Sequence, residues 1–297
     1  LGLAAAGITA KDAVPAVTEV FRSGEQQYHT FRIPALLMTK KGTLLAFCEG
    51  RRGSSSDTGD IDLLLKRSHD QGKTWSATQV VSDMGSDTIG NPCPVQDRKT
   101  GRIFLPLTMN RGSVSEKQMI ERQVPDKRKV FICHSDDEGA SWSELVEITD
   151  AVSLPDWTWY ATGPGNGIQT RSGRLIIPCD HIVEGSKAFH SHVIYSDDQG
   201  KTWKIGGRAE EKTNECQIVE LRDGSLMLNM RSYHGRNRRA VARSNNGGLT
   251  WSPLQLDEQL IEPVCQASLI SHRGMLYFLN PASVKREKMT IRSSKDD

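Results

Sequence analysis

Five times along this chain a short polar turn ending in glycine gives way to a run of apolar residues. Thr39–Gly42 precedes Thr43–Cys48, Arg98–Gly101 precedes Arg102–Thr108, and Thr170–Gly173 precedes Arg174–Pro178. Arg222–Gly224 precedes Ser225–Met230, and His272–Gly274 precedes Met275–Asn280. Short apolar runs bounded by turn residues are strand signals, and the glycine supplies the positive φ that a tight turn needs. No stretch sustains the 3.6-residue period of an amphipathic helix, so the pattern predicts an all-β chain.

An octapeptide repeat, Ser-x-Asp/Asn-x-Gly-x-Ser/Thr-Trp, interleaves with these runs at Ser68–Trp75, Ser135–Trp142, Ser196–Trp203 and Ser244–Trp251. Its Ser and Asp side chains suit bonds to nearby backbone N–H groups, and its Trp suits packing between strands. Each unit therefore reads strand 1, glycine turn, strand 2, longer loop, strand 3, Asp-box turn, strand 4. That is the four-stranded meander of a β-propeller blade, recurring at a spacing typical of such repeats. Five units are present, and Val17–Arg22 is expected to supply the outer strand of a sixth. Ser294–Asp297 reads as the opening of a fifth box. The expectation is one domain over residues 17–297, a six-bladed β-propeller cut in that box with its sixth blade largely missing.

Composition narrows the function. The 297 residues are 37% hydrophobic and 25% charged with a net charge of +2, an ordinary globular balance without the basic stripe that nucleic acid calls for. Arg236–Arg239 is the one dense basic cluster, and it reads as a solvated loop. No apolar run is long enough for a membrane span. The six cysteines lie scattered, with no Cys-x-x-Cys pair and no histidine at metal spacing; they read as buried thiols, and neither metal nor cofactor is expected. Residues 1–16, beginning Leu1-Gly-Leu-Ala-Ala-Ala, read either as the remnant of a secretory signal peptide, which implies export, or as a flexible N-terminus.

A meander has two ends. One carries the glycine turns and Asp boxes, the other the strand 2 to 3 loops, which converge on the central channel. Arg32, Arg51, Asp57, Glu215, Arg231 and Arg286 all map to the loop end. Arg292 lies six residues beyond Arg286, about 20 Å along a strand, and so belongs near the boxes. Arginines from three blades facing one channel suggest a receptor for a carboxylate, which guanidinium groups bind bidentately. For Asp57 a loop-capping role stays open, as does a blade-to-blade salt bridge for Glu215. The charged loop Arg111–Lys129 reads as a lid or a packing surface.

Phe31-Arg32-Ile33-Pro34, the repeated boxes, Asn214-Glu215-Cys216-Gln217, Asn229-Met230-Arg231-Ser232 and an arginine before the fifth box together resemble the exo-α-sialidase (neuraminidase) family over essentially the whole chain. The resemblance implies that Arg32, Arg231 and Arg286 hold the sialic acid carboxylate and that Arg51 contacts the ring hydroxyl opposite. It implies Asp57 as acid/base, Glu215 as activator of a tyrosine nucleophile, and Asn91, which is expected to open strand 1 of the second unit, facing the N-acetyl group. The implied partners are sialylated glycoproteins, glycolipids or oligosaccharides. The family's tyrosine comes from the last blade, and none of Tyr28, Tyr160, Tyr195, Tyr233 and Tyr277 occupies its position, so it is expected beyond residue 297. The alternatives are a non-catalytic propeller that binds glycans or proteins, a trans-sialidase, or a hydrolase of a related nonulosonic acid.

Overall fold

The computed structural model describes residues 17–294. The expected signal remnant or flexible segment at 1–16, and positions 295–297 of the broken fifth box, lie outside the described residues. The chain forms five antiparallel meanders in sequence order. The first is β1 (Thr30–Met38), β2 (Leu44–Arg51), β3 (Ile61–Ser68) and β4 (Gln79–Ser82). The second comprises β5 (Thr88–Gly90), β6 (Val95–Gln96), β7 (Ile103–Asn110), β8 (Lys129–Ser135) and β9 (Val146–Glu147), with the short helices α1 (Glu116–Ile120) and α2 (Thr149–Val152) in and after its loops. The third is β10 (Trp157–Thr162), β11 (Ile168–Gln169), β12 (Leu175–Val183), β13 (Phe189–Ser196) and β14 (Lys204–Glu211). The fourth is β15 (Thr213–Glu220), β16 (Leu226–Ser232), β17 (Arg238–Ser244) and β18 (Gln255–Ile261), and the fifth is β19 (Ser268–His272), β20 (Met275–Pro281) and β21 (Met289–Ser294). One parallel bridge, Ile61 to Thr88, joins the first two meanders into a single sheet.

The apolar runs are near-continuous because successive meanders bury both faces of their middle strands. Leu45, Phe47, Leu63 and Leu65 meet Ile103, Leu105 and Leu107 between the first and second meanders. Phe104 and Val130 meet Ile177 and Ile194 between the second and third, and Ile176 and Val193 meet Ile218 and Leu228 between the third and fourth. Val219 and Leu221 meet Leu269 and Phe278 between the fourth and fifth. Each such side chain contributes about 1.5–3 kcal/mol on burial. The result is a propeller-type arrangement in which each blade is held by its neighbours.

The Asp boxes are self-contained turns. In the third, Ser196 Oγ donates to Asp198 Oδ1 and accepts from Gly200 N at 2.8 Å, while Thr202 donates its N–H to Oδ1 and its hydroxyl to Oδ2. These bonds, from Thr202 above all, hold the Asp198 carboxyl down at about 2. Gly200 has φ +80°, and a Cβ there would run into the Phe104 ring of the preceding meander; at Gly72, φ +84°, a Cβ would find only ordinary contacts. Gly72→Ala should therefore cost the left-handed backbone penalty of about 1–2 kcal/mol. Gly200→Ala adds overpacking of about 1–3 kcal/mol, so urea unfolding should rank it clearly the less stable; equal losses would contradict this packing.

The structure departs from the sequence expectations at three places. Val17–Arg22 forms no strand. It docks instead through side chains, Phe21 against Phe31 and the Val20 carbonyl accepting from Lys66 Nζ, without a ladder partner. Asn91 does not open a strand: it sits in the gap between β5 and β6 at φ +54°, because Pro92 and Pro94 have no N–H to give a ladder. Arg239 of the supposedly solvated cluster is fully buried, paired with Glu262 at 2.7 Å, whereas Arg236 is exposed. Among the described residues no helix is long and apolar enough to cross a membrane.

The third meander encloses an aromatic and histidine cluster. Trp157 stacks on His181 with ring centroids 3.5 Å apart; His181 Nδ1 lies 3.0 Å from His192 Nδ1, and His192 Nε2 lies 3.1 Å from the Tyr160 hydroxyl. Both histidines are fully buried. Burial pulls His192 down to about 3 and His181 lower still. Since the folded values lie below the ordinary value of 6.5, the unfolded chain takes up protons first. The associated stability is fully present above about 6.5 and is lost as pH falls toward 3, at up to about 1.4 kcal/mol per pH unit for each histidine. His192→Asn should therefore lose about 2 kcal/mol less than the parent between pH 6.5 and 5 in urea titrations. Parallel pH profiles would contradict a neutral buried His192.

Candidate active site

The glycine turns of the five meanders and the boxes of the first four lie at one end and the strand 2 to 3 loops at the other, so a site at the loop end draws on several meanders. Two bulges shape it. The β1–β2 register shifts between Arg32 and Ala35, where Ile33 has φ +56°, and the β15–β16 register shifts between Thr213 and Cys216. An extra residue in one strand re-aims its side chains. Arg32 and Glu215 sit in these two equivalent bulges.

The first cluster belongs to the first meander. Glu49, fully enclosed, accepts from Arg51 Nε at 3.1 Å and Nη2 at 2.6 Å, and its other oxygen accepts from Asn91 N. Gly90 leaves the space the Glu49 carboxylate fills; any Cβ there would collide with it. Arg51 Nη1 turns to the loop, donating to the carbonyls of Ser55 and Ser56 at 2.8 Å and to Asp57 Oδ1 at 2.7 Å. Arg51 is thus a clasp that fixes the Asp57 loop, and burial is outweighed by Glu49 and Asp57 in keeping it charged. Arg32 Nη1 approaches the same Asp57 oxygen at 3.4 Å. The Asp57 side chain remains 68% exposed, held in place yet open to solvent and ligand.

The second cluster belongs to the fourth meander. Arg231 Nη1 donates to Glu215 Oε2 at 2.7 Å, both side chains being about one-fifth exposed. Arg231 Nε has no partner, so the Nε–Nη2 edge of the fork is uncommitted. The strand end carrying Arg231 is pinned from behind, because Glu262 accepts from Ser232 N and pairs with Arg239, which also donates to Asn229 and to the Cys265 carbonyl. Arg286 is exposed in the loop between β20 and β21. Its charge and that of Arg231 both act on the Cys265 thiol, which burial raises. Arg292 is committed to Asn280 Oδ1 at 3.0 Å.

Three further ionisable groups lie between these clusters and were not singled out from the sequence. Asp180 of β12 is buried, with Oδ2 accepting from Asn214 at 2.9 Å and Oδ1 unpartnered. Burial raises it well above the usual carboxylate range, with Glu215 and Glu116 adding to the shift. Glu116 of α1 is likewise raised by burial and feels Arg128, Asp57, Arg231 and Glu215. Arg128, buried, feels Glu49, Glu116, Asp180 and Asp57. The signal for Asp180 was present: it follows Gly173 by seven residues, as Arg231 follows Gly224 and Glu49 follows Gly42.

Asn91 contributes backbone bonds to Glu49 and Thr162, and its Oδ1 accepts from Thr108. None of the five tyrosines bonds Glu215. Tyr233 packs on Phe189 with Arg231 5.1 Å from its ring, and burial raises its phenol to about 12. Tyr195 stacks with Arg174 at 4.2 Å, Tyr160 belongs to the histidine cluster, Tyr28 donates to Asp62 at 2.6 Å, and Tyr277 pairs across β19 and β21. Among the described residues no group of three or more His, Cys, Asp or Glu is placed to hold a metal ion. A concavity of about 630 Å³ lies among Gln169, Thr170, Arg174, Asp197 and Asn246, at the box end and away from both clusters.

Residues 42–297 match the BNR repeat-like domain family. The chain is 32% identical to a sialidase of Bacteroides fragilis over 93% of its own length and 55% of the relative's. It is 36% identical to Sialidase-3 of Homo sapiens, covering 86% of this chain and 65% of that one. The chain belongs to the sialidase family. A solved Hadza microbial sialidase superposes on this sialidase chain with a TM-score of 0.85 at 32% identity, over 92% of it and 58% of the solved chain. The chain thus spans between about half and two-thirds of the length of the relatives it matches, and the fold is the propeller-type fold of sialidases.

Proposed function

We propose that the chain carries the carboxylate-binding and acid–base residues of a retaining exo-α-sialidase that releases terminal sialic acids from glycoproteins, glycolipids or oligosaccharides. The observation that carries this reading is Arg231: one nitrogen holds Glu215, and the edge beside it is left without partners. A substrate carboxylate suits that edge, supplemented by Arg32 and Arg286. Charge-assisted bonds of this kind contribute about 1.5–3 kcal/mol each.

Asp57, steadied by Arg51 and open to solvent, suits protonation of the departing glycosidic oxygen and later deprotonation of water. Sialidases use tyrosine as nucleophile. The physical reason is that the anomeric carbon bears the substrate's own carboxylate, which would repel an anionic nucleophile. A phenol is neutral until attack, and Glu215 is the base that takes its proton. None of the five tyrosines bonds Glu215, and none is assigned this role. Binding the carboxylate beside the reacting carbon also favours a planar, positively charged transition state.

The test is release of 4-methylumbelliferone from its α-N-acetylneuraminide, with proton NMR of the sugar. Early appearance of the α-anomer supports retention. Early β-anomer, or a Glu215→Gln variant as fast as the parent, would contradict the assigned roles.

A further inference from the structure

Asp180 is a buried acid that the proposed reaction leaves unused. Its side chain is 1% exposed; Oδ2 accepts from Asn214 Nδ2 at 2.9 Å, Oδ1 has no partner, and no cation pairs with it among the described residues. A carboxylate enclosed in this way would carry a charge that nothing in contact offsets, which is strongly disfavoured. A carboxylic acid of the same shape leaves only a hydroxyl unsatisfied.

The groups that face Asp180 favour the acid. Burial has the largest influence, and Glu215 from β15 and Glu116 from α1 add to it, while Arg128 ahead of β8 and Arg231 from β16 act against it from beyond ion-pair distance. Tyr160 from β10, Cys179 beside it and Cys216 from β15 stay neutral because burial raises all three, and Tyr233 after β16 is raised in the same way. Opposite it on β13 stands the uncharged Ser191.

Asn214 shows what Asp180 anchors. It precedes Glu215 in the bulge between Thr213 and Cys216, where the β15–β16 ladder gives neither residue a partner. The third meander supplies the missing bonds: Ser191 Oγ donates to the Asn214 carbonyl, Ser191 N donates to Thr213 Oγ1 at 2.9 Å, and Asp180 takes the Asn214 side chain. Through Asn214, Asp180 thus reaches the backbone that aims Glu215. We propose that Asp180 is a positioning residue for Glu215: it keeps its proton, and by holding Asn214 it aims the base without setting a second negative charge beside it. The proposal rests on the sialidase reading above. An ionised Asp180 would hold Asn214 as well, but it would repel Glu215 and compete with the substrate carboxylate for Arg231.

The experiment measures the pH dependence of kcat/KM for 4-methylumbelliferyl α-N-acetylneuraminide in the protein and its variants. The acid limb reports the essential base, here Glu215. Asp180→Asn has the shape of the neutral acid and keeps an oxygen for Asn214, so it should leave both Tm and that limb in place. Removal of an ionised neighbour would instead move the limb down by about a unit or more, and that result overturns the proposal. Asp180→Ala should lower kcat by about tenfold to a hundredfold, the scale of misplacing a reacting group, and Asn214→Ala should do the same. The double variant should lose no more than either single one, because both break the same link; losses that multiply, or an unchanged kcat in the single variants, overturn the proposal too. Should Asp180→Ala fail to fold, Asn214→Ala and Asp180→Asn carry the test. If the parent releases no sugar, the sialidase reading fails separately, and infrared difference spectra decide Asp180. A protonated carboxyl band near neutral pH that is missing from Asp180→Asn supports the proposal, and its absence from the parent overturns it.

Discussion

Arg231→Ala is expected to lower kcat/KM for a fluorogenic sialoside by about a hundredfold to ten-thousandfold, the loss of two charge-assisted bonds at about 1.5–3 kcal/mol each. The substitution removes both functions of one guanidinium: the uncommitted edge for the substrate carboxylate, and the nitrogen that orients Glu215 at 2.7 Å. The loss should therefore exceed that of Arg32→Ala, whose only ionic contact among the described residues is a 3.4 Å approach to the exposed Asp57. Arg231→Lys should recover a fraction of the rate, because an ammonium keeps the charge and gives up the fork. Urea unfolding of both variants separates this from a folding defect. A loss smaller than that of Arg32→Ala would remove Arg231 from the centre of the site.

Glu262→Ala is expected to destabilise the chain by about 3–5 kcal/mol, the cost of leaving a fully buried charge without its partner. Arg239 would keep its bonds to Asn229 and the Cys265 carbonyl but lose its one carboxylate partner among the described residues. The double variant Arg239→Met/Glu262→Leu should be less damaging than Glu262→Ala alone, since it removes both charges. Because Glu262 also holds Ser232 N, next to Arg231, Glu262→Gln should raise KM more than it lowers stability. If Glu262→Ala unfolds at the same urea concentration as the parent, the buried pair is not what pins this strand end.

The scaffold was legible in the sequence because its signals are local. A glycine turn, an apolar run and an Asp box each fall within about eight residues, and their repetition indexed the five meanders and separated the loop end from the box end. That index carried Arg32, Arg51, Asp57, Glu215 and Arg231 to one end of the molecule. What stayed hidden depends on partners distant in sequence. Arg239 looked solvated beside Arg236 and Arg238, since nothing near it announces Glu262, and only the inward phase of β17 decides its burial. Arg128 sat within a charged loop whose enclosure comes from Trp159 in the next meander. Asn91 was misplaced by a local cause, the two prolines that break its strand. Arg51 shows its bonds to Glu49 and to the Asp57 loop only in the folded chain, since the strand and the turn bring these partners to it and sequence spacing does not announce them.

The most direct measurement is a crystal structure of the protein with 2-deoxy-2,3-didehydro-N-acetylneuraminic acid, a planar mimic of the oxocarbenium-like state. Its carboxylate is expected within about 3 Å of the guanidinium groups of Arg32, Arg231 and Arg286, with Asp57 and Glu215 on either side of the reacting carbon. A sugar bound instead at the box end, beside Arg174 and Asp197, would contradict this placement.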